Sequence, residues 1–343
     1  MRLTPFHALI AGLALTACVT DHTLKHDDTG HSIDSADSGD VDTDTDSGGD
    51  TDTGGDTDTA PTVVSVAASL VPPVSTITTR ETVSVVVTAT LSDGSTTDVT
   101  SASTITSSDT TIVRFYAHDV AQPLFSGSIT ITVTPPHASA LAPLPLDVTM
   151  SLPRPGDLVF NEILADPATS GDPNGDGVSD PVDDEFVEIA NAADATLDLS
   201  GVTLWDSDLS TPRHTFASPT YLFPGDVLVV FGGGSVGSLS APEATFLVAD
   251  NADHSLQYGI ALNNEGDVPN LVAADGTTAL ASAPYGDAGG PVIAEDASLV
   301  LAPEVIGSSY TNANYATGSI GPFSPGTHAD GTAFPGPDGT FTP

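Results

Sequence analysis

From Pro61 onward the chain is a succession of short apolar runs cut by glycine, proline, aspartate and asparagine, and no stretch of it carries a helical period. Ser128-Ile129-Thr130-Ile131-Thr132-Val133-Thr134 alternates strictly, with the isoleucines and the valine on one face. Thr82 to Leu91 is β-branched and partly alternating, and Ser92-Asp93-Gly94-Ser95 after it is a turn signal. Leu158 to Ala165, Phe186 to Ala190, Val202 to Trp205, Val227 to Phe231 and Thr245 to Ala249 are further short apolar runs. Such a chain is predicted to be all-β and to fold as antiparallel sandwiches. Its length allows about two domains, and Ser151-Leu152-Pro153-Arg154-Pro155 reads as the joint between them.

These sandwiches must be held by apolar cores. The chain has one cysteine, Cys18, and so forms no internal disulfide. Met1-Arg2-Leu3 and the apolar run Ala8–Ala17 make a basic start and a segment too short for the ~20 apolar residues of a bilayer span. Leu15-Thr16-Ala17-Cys18 resembles the lipobox of bacterial lipoproteins. The resemblance implies a signal peptide over residues 1–17, cleavage before Cys18, and lipid on that thiol. Each buried CH₂ of such an anchor contributes ~0.8 kcal/mol. Val19 rather than Asp follows the cysteine; by resemblance to bacterial lipoprotein sorting, the destination is the outer membrane or cell surface.

Residues 18–60 form a low-complexity tract, as in Asp42-Thr43-Asp44-Thr45-Asp46-Ser47-Gly48-Gly49. It has nothing to bury and is predicted to be a disordered, charge-stretched spacer. Asp+Glu number 46 against 6 Lys+Arg, a formal charge of −40. That balance excludes nucleic acid as a partner and suits divalent cations and cationic surfaces.

Two family resemblances follow. Thr90-Leu91-Ser92-Asp93-Gly94-Ser95-Thr96-Thr97-Asp98-Val99-Thr100, then Ser107-Ser108-Asp109-Thr110-Thr111-Ile112-Val113 and Ser126-Gly127-Ser128-Ile129-Thr130-Ile131, resemble the bacterial Ig-like domain, group 2. This covers residues 61–150 and implies a stalk or adhesive module. The second resemblance is carried by Leu158-Val159-Phe160-Asn161-Glu162-Ile163, Glu185-Phe186-Val187-Glu188-Ile189-Ala190-Asn191 and Leu197-Asp198-Leu199-Ser200-Gly201-Val202-Thr203-Leu204-Trp205-Asp206. Pro224-Gly225-Asp226, Leu262-Asn263-Asn264-Glu265-Gly266-Asp267, Tyr285-Gly286 and Ser324-Pro325-Gly326 continue the order. It is similar to the lamin-tail domain over residues 156–330, followed by a Gly/Pro-rich tail, 331–343. Together the resemblances imply two Ig-like β-sandwiches in tandem after a signal peptide and an acidic linker. Pro269 departs from the pattern and predicts an edge or interrupted strand there. Asn161, Glu162 and Glu188 are the notable polar positions; if buried they need partners, and a hydrogen-bonding role in the scaffold is expected of them rather than a catalytic one.

Residues 171–184 are an acidic insertion in that pattern. Asp172-Pro173-Asn174-Gly175-Asp176-Gly177-Val178-Ser179-Asp180-Pro181-Val182-Asp183 follows the spacing of a calcium loop. Asp172, Asn174 and Asp176 would be side-chain ligands, Val178 would give its carbonyl, Asp180 would act directly or through water, and Asp183 would end the loop. The same residues also read as a hydrophilic turn-former loop without a metal.

Gly233-Gly234-Ser235-Val236-Gly237 matches the hydrolase nucleophile motif, and Gly232 to Gly237 matches the dinucleotide fingerprint. Neither is followed by a helical pattern, so both are read as a glycine-rich loop between strands. His22, His26 and His31 lie in the acidic tract, and His254 and His328 have no zinc spacing. The expected protein is a non-catalytic surface lipoprotein whose lamin-tail module binds or tethers an envelope protein or extracellular polysaccharide. A carbohydrate- or matrix-binding adhesin is the alternative, with Trp205, Tyr221 or Tyr285 in an aromatic cluster. A serine hydrolase using Ser235 is the third reading.

Overall fold

The computed structural model describes residues 60–336 except 170, 208–210, 251–258 and 294. The expected signal peptide, Cys18 and all but the end of the acidic tract lie outside the described residues, as does His254. Those that are described are all-β: strands, turns and two single-turn 3-10 helices, Thr100–Ala102 and Ala313–Tyr315.

The first part contains β1 (Val63–Val71), β2 (Thr76–Thr78), β3 (Val83–Leu91), β4 (Thr96–Asp98), β5 (Thr104–Ser107), β6 (Val113–Tyr116), β7 (Val120–Pro123), β8 (Gly127–Thr134) and β9 (Leu144–Thr149). One sheet runs β1-β3-β7-β6, with β4 also on β3, and the other β2-β9-β8-β5. Period-2 alternation decides what lies between them. Val83, Val85 and Val87 of β3 face Ile129, Ile131 and Val133 of β8 across one buried core, and Ala89 continues the buried row of β3. The serines and threonines between them point outward or lie part-exposed.

The second part contains β10 (Leu158–Leu164), β11 (Phe186–Asn191), β12 (Leu197–Asp198), β13 (Thr203–Trp205), β14 (His214–Thr215), β15 (Tyr221–Leu222), β16 (Val227–Phe231) and β17 (Ala244–Val248). It continues with β18 (Gly266–Asp267), β19 (Asn270–Val272), β20 (Ala279–Ser282), β21 (Tyr285–Gly286), β22 (Leu299–Ala302) and β23 (Ser309–Asn312). The main sheet is β17-β16-β11-β10-β22-β23, and β14-β13-β19-β20 is the largest of the others. Val268-Pro269 separates β18 from β19, so the strand is interrupted at the proline as its missing N–H requires.

Pairs of the strands named above are antiparallel except β2 on β9 and β16 on β17. The second exception has a local cause. A parallel neighbour needs a crossover of about a dozen residues, and the glycine-rich segment 232–243 supplies it.

Both faces of the main sheet are covered. Phe160, Ile163, Val187, Ile189, Leu228 and Val230 pack inward on the second layer. Leu164, Phe186, Val229 and Phe231 pack outward under Val236, Leu239 and Phe323. Every residue of Val227–Phe231 is therefore buried, which explains its unbroken apolar run.

The joint between the two parts is cross-braced. Arg80 pairs with Asp157 and donates to the Leu152 carbonyl at 3.2 Å. Thr79 Oγ1 donates to Thr196 O at 2.7 Å and accepts from Ser151 N at 3.0 Å. Thr196 Oγ1 donates to Leu124 O at 2.8 Å, and Phe125 stacks edge-on against Tyr221 at 4.7 Å.

Candidate functional site

The acidic insertion folds as a loop over the glycine run that follows β16. Asp172 accepts the N–H groups of Asp176 at 3.0 Å and Gly177 at 2.9 Å. Asn174 Oδ1 also accepts from Asp176 N at 3.0 Å, and Asp176 Oδ1 accepts from Val178 N at 2.8 Å. Asp180 Oδ1 caps the next turn, accepting from Val182 N at 2.9 Å and Asp183 N at 3.1 Å. Gly175 and Gly177 take φ of +70° and +88°, the left-handed conformation that a reversing loop needs here.

Why three glycines stand together at 232–234 is visible in the contacts. A Cβ on Gly232 would lie 2.0 Å from Val182 O, and one on Gly233 2.0 Å from Asp183 Oδ1. On Gly234 it would lie 2.5 Å from both Asn174 Nδ2 and Asp176 Oδ2. Gly232 N donates to Glu185 O and Gly233 N to Asp183 O. The run that imitates a nucleophile elbow and a dinucleotide fingerprint is the seat of the acidic loop. Ser235 beyond it is exposed and leads into a turn at 236–239, with no helix.

Of the sequence-predicted ligands, Asp172, Asn174 and Asp176 come together at the head of the loop, while Asp183 lies against Gly233. Val178 is exposed. A residue that the spacing pattern does not include, Asp184, occupies the base. Its side chain is fully buried; Oδ2 accepts from Asp180 N at 2.8 Å, and Oδ1 accepts no hydrogen bond. Burial raises its pKa to about 6, against the pull of the Asp180 and Asn174 backbone N–H groups, and the carboxylates of Asp172 and Asp176 add to the rise. Among the described residues no three His, Cys, Asp or Glu side chains converge as a metal cluster. Any ion here would depend on Asn174 and main-chain oxygen as well as carboxylates.

Polar residues of the lamin-tail resemblance gather on the outward face of the main sheet. The register slips between Phe160 and Glu162, making Asn161 the extra residue of a bulge. Without the bulge Phe160 and Glu162 would share a face; with it, Phe160 and Ile163 point into the core and Glu162 and Leu164 point away. Glu162 then stands opposite Glu188 of β11, and both are fully buried.

Their partners come from the C-terminal segment. Glu162 accepts from Ser298 Oγ, from Ser324 N at 2.9 Å and from Ser324 Oγ at 2.7 Å. Glu188 accepts from Asn161 Nδ2 at 2.8 Å and from Gly326 N at 2.7 Å. Asn161 Oδ1 accepts from Val305 N at 2.7 Å. Glu304 lies beside them and meets His328 at 3.3 Å. Burial pushes Glu162 up to about 7 and Glu188 well above the usual carboxylate range, and the Glu162–Glu188 repulsion adds to the second. These groups are a clamp on Ser324-Pro325-Gly326, as a scaffold role requires.

The sequence of residues 152–287 matches the family model described as Lamin Tail Domain. No match is found among curated proteins. Among solved structures, the surface layer protein SbsC, domains 4–9, aligns at 13% identity and a TM-score of 0.21, over 65% of this chain and 31% of that one. Domains 7, 8 and 9 of the S-layer protein SbsC align at 13% identity and a TM-score of 0.21, over 69% of this chain and 65% of that one. Neither likeness is close enough to carry fold or role across. The sheet and its clamp extend past residue 287 through β22, β23 and Ser324. The part of the chain that holds the acidic loop and the opposed glutamates is thus similar to the lamin tail domain over residues 152–287.

Proposed function

We propose that this is a non-catalytic envelope protein, exported and lipid-anchored through Cys18, whose braced β-sandwiches present the lamin-tail-like module to a protein or polysaccharide partner. One observation carries the reading. Asn161, Glu162 and Glu188, the polar positions of the lamin-tail motifs, are buried and hydrogen-bonded to the chain's own segment 298–326. Side chains so engaged hold a scaffold; they are not presented to a substrate. The lipobox resemblance, the acidic tract and the charge of −40 support an anchored, solvated display. The family match supports a binding or structural module, and fold alone does not establish more than that.

The adhesin alternative asked for an aromatic platform. Tyr285 is buried and Tyr221 packs edge-on against Phe125, which weighs against an open platform formed by these two with the part-exposed Trp205. The test is protease treatment of intact cells together with palmitate labelling. Wild type is expected to be labelled and cleaved at the surface, and Cys18→Ser to lose both label and membrane association. An unlabelled wild type recovered in the soluble fraction would remove the proposal.

A further inference from the structure

We propose that the loop 172–184 is a calcium-class cation site, with Asp172, Asn174, Asp176, the Val178 carbonyl, Asp180 and the buried Asp184 as its oxygen donors.

Asp184 is the observation that separates a cation site from a loop of turn-forming residues. Turn chemistry accounts for Asp172, Asn174, Asp176 and Asp180, each of which accepts a backbone N–H nearby. It does not account for a fully buried carboxylate with an oxygen that accepts no hydrogen bond. Asp184 Oδ2 is engaged by Asp180 N, but Oδ1 is left over, and buried polar atoms nearly always find a partner. The side-chain charges bearing on Asp184 are the carboxylates of Asp172 and Asp176, which repel it. A divalent cation between them would turn that repulsion into attraction and give Asp184 Oδ1 its missing partner.

The chemistry of the donors selects the class. All are oxygens, and the loop contains neither histidine nor cysteine, which disfavours zinc and copper. Asp172, Asn174, Asp176, Val178, Asp180 and a carboxylate at the base give the six to eight oxygens that Ca²⁺ takes. Magnesium demands stricter octahedral geometry and keeps its water, and a flexible mixed set suits it less. Gly234 lies against Asn174 and Asp176, and Gly232 and Gly233 against Val182 and Asp183, so the glycine run seats the loop without side chains of its own. Because the carboxylates do not converge before the ion arrives, affinity should be that of extracellular modules, a Kd of about 10⁻⁴–10⁻³ M.

The experiment uses the full chain, stripped with chelator and titrated calorimetrically with CaCl₂ and, separately, MgCl₂, with thermal melts at each end point. Wild type, Asp184→Asn and Asp176→Asn are compared. Asp176 is exposed, so its variant keeps the fold if the buried substitution does not. The acidic tract is present in all three and cancels. One calcium site is expected in wild type, weakened about tenfold or more in each variant, with a calcium-induced rise in melting temperature that both variants lose. Identical titrations in all three proteins, or no calcium-induced melting shift in wild type, would overturn the site. Magnesium binding as tight as calcium would overturn the class assigned to it.

Discussion

Glu162 and Glu188 face one another across neighbouring strands, both fully buried, and the segment that reaches Ser324 and Gly326 covers them. Two like charges in that position favour a proton. Burial raises Glu162 from 4.5 to about 7 and lifts Glu188 well above the usual carboxylate range. A carboxylate with a raised folded pKa binds its proton more tightly in the folded than in the unfolded chain. Its contribution is therefore present below the unfolded pKa and is lost as pH rises toward the folded one. Stability should fall between about pH 4.5 and 7 through Glu162, and Glu188 acts in the same direction. In Glu162→Gln/Glu188→Gln the melting temperature should depend less on pH across that window. An unchanged slope in the double variant would assign the pH dependence elsewhere.

Phe334 closes the same clamp. It is almost fully buried against Ala190, Val227 and Val305 and stacks on His328 at 4.2 Å. Phe334→Ala should cost about 3 kcal/mol, the lower end for a buried aromatic, since the site lies near the end of the described chain and can relax. Urea denaturation measures it. A loss under about 0.5 kcal/mol, the size of an ordinary surface substitution, would mean that the C-terminal segment is not part of the cooperative fold.

Arg213 and Asp206 form an ion pair inside the second part, with both side chains nearly inaccessible. Glu185 and Asp267 lie in the same electrostatic neighbourhood, where Arg213 counters the burial that lifts the Glu185 pKa. Removing one partner of a buried pair leaves an uncompensated charge. Arg213→Ala should therefore destabilise by about 3–5 kcal/mol. Restoration of most of that loss by Asp206→Asn in the same chain would identify the stranded carboxylate as the cause, and the absence of any restoration would point to lost packing.

Much of the architecture is legible in the sequence. Val227–Phe231 was readable to the residue, and the break at Pro269 followed from a missing N–H. Alternation in Ser128–Thr134 correctly placed Ile129, Ile131 and Val133 in a core. What escaped was long-range. The bulge at Asn161 that turns Glu162 outward leaves no mark in local periodicity. Strand assignments read as antiparallel throughout did not reveal that β16 and β17 run parallel, because that depends on how a loop crosses over. Asp184 stands one residue beyond the end of the spacing pattern, and only the fold buries it. Ser151–Pro155 reads as a joint from its prolines, but its bracing by Thr79, Arg80 and Thr196 joins residues distant in sequence.

The glycine run allows a comparison between space and conformation. Gly232 does not need a left-handed backbone, yet a Cβ there would meet Val182 O at 2.0 Å, a main-chain atom that cannot swing away. Gly94 has φ of +84° and nothing within 4 Å. Gly94→Ala should carry only the conformational cost of a left-handed alanine, about 1 kcal/mol. Gly232→Ala must displace the loop 172–184 or the strand end, and overpacking of this kind costs about 1–3 kcal/mol. Proteolysis adds a second readout. In Gly232→Ala the acidic loop should become the earliest cleavage site, whereas Gly94→Ala should leave it protected. Equal protection of the loop in both variants would mean that the glycine run does not seat it.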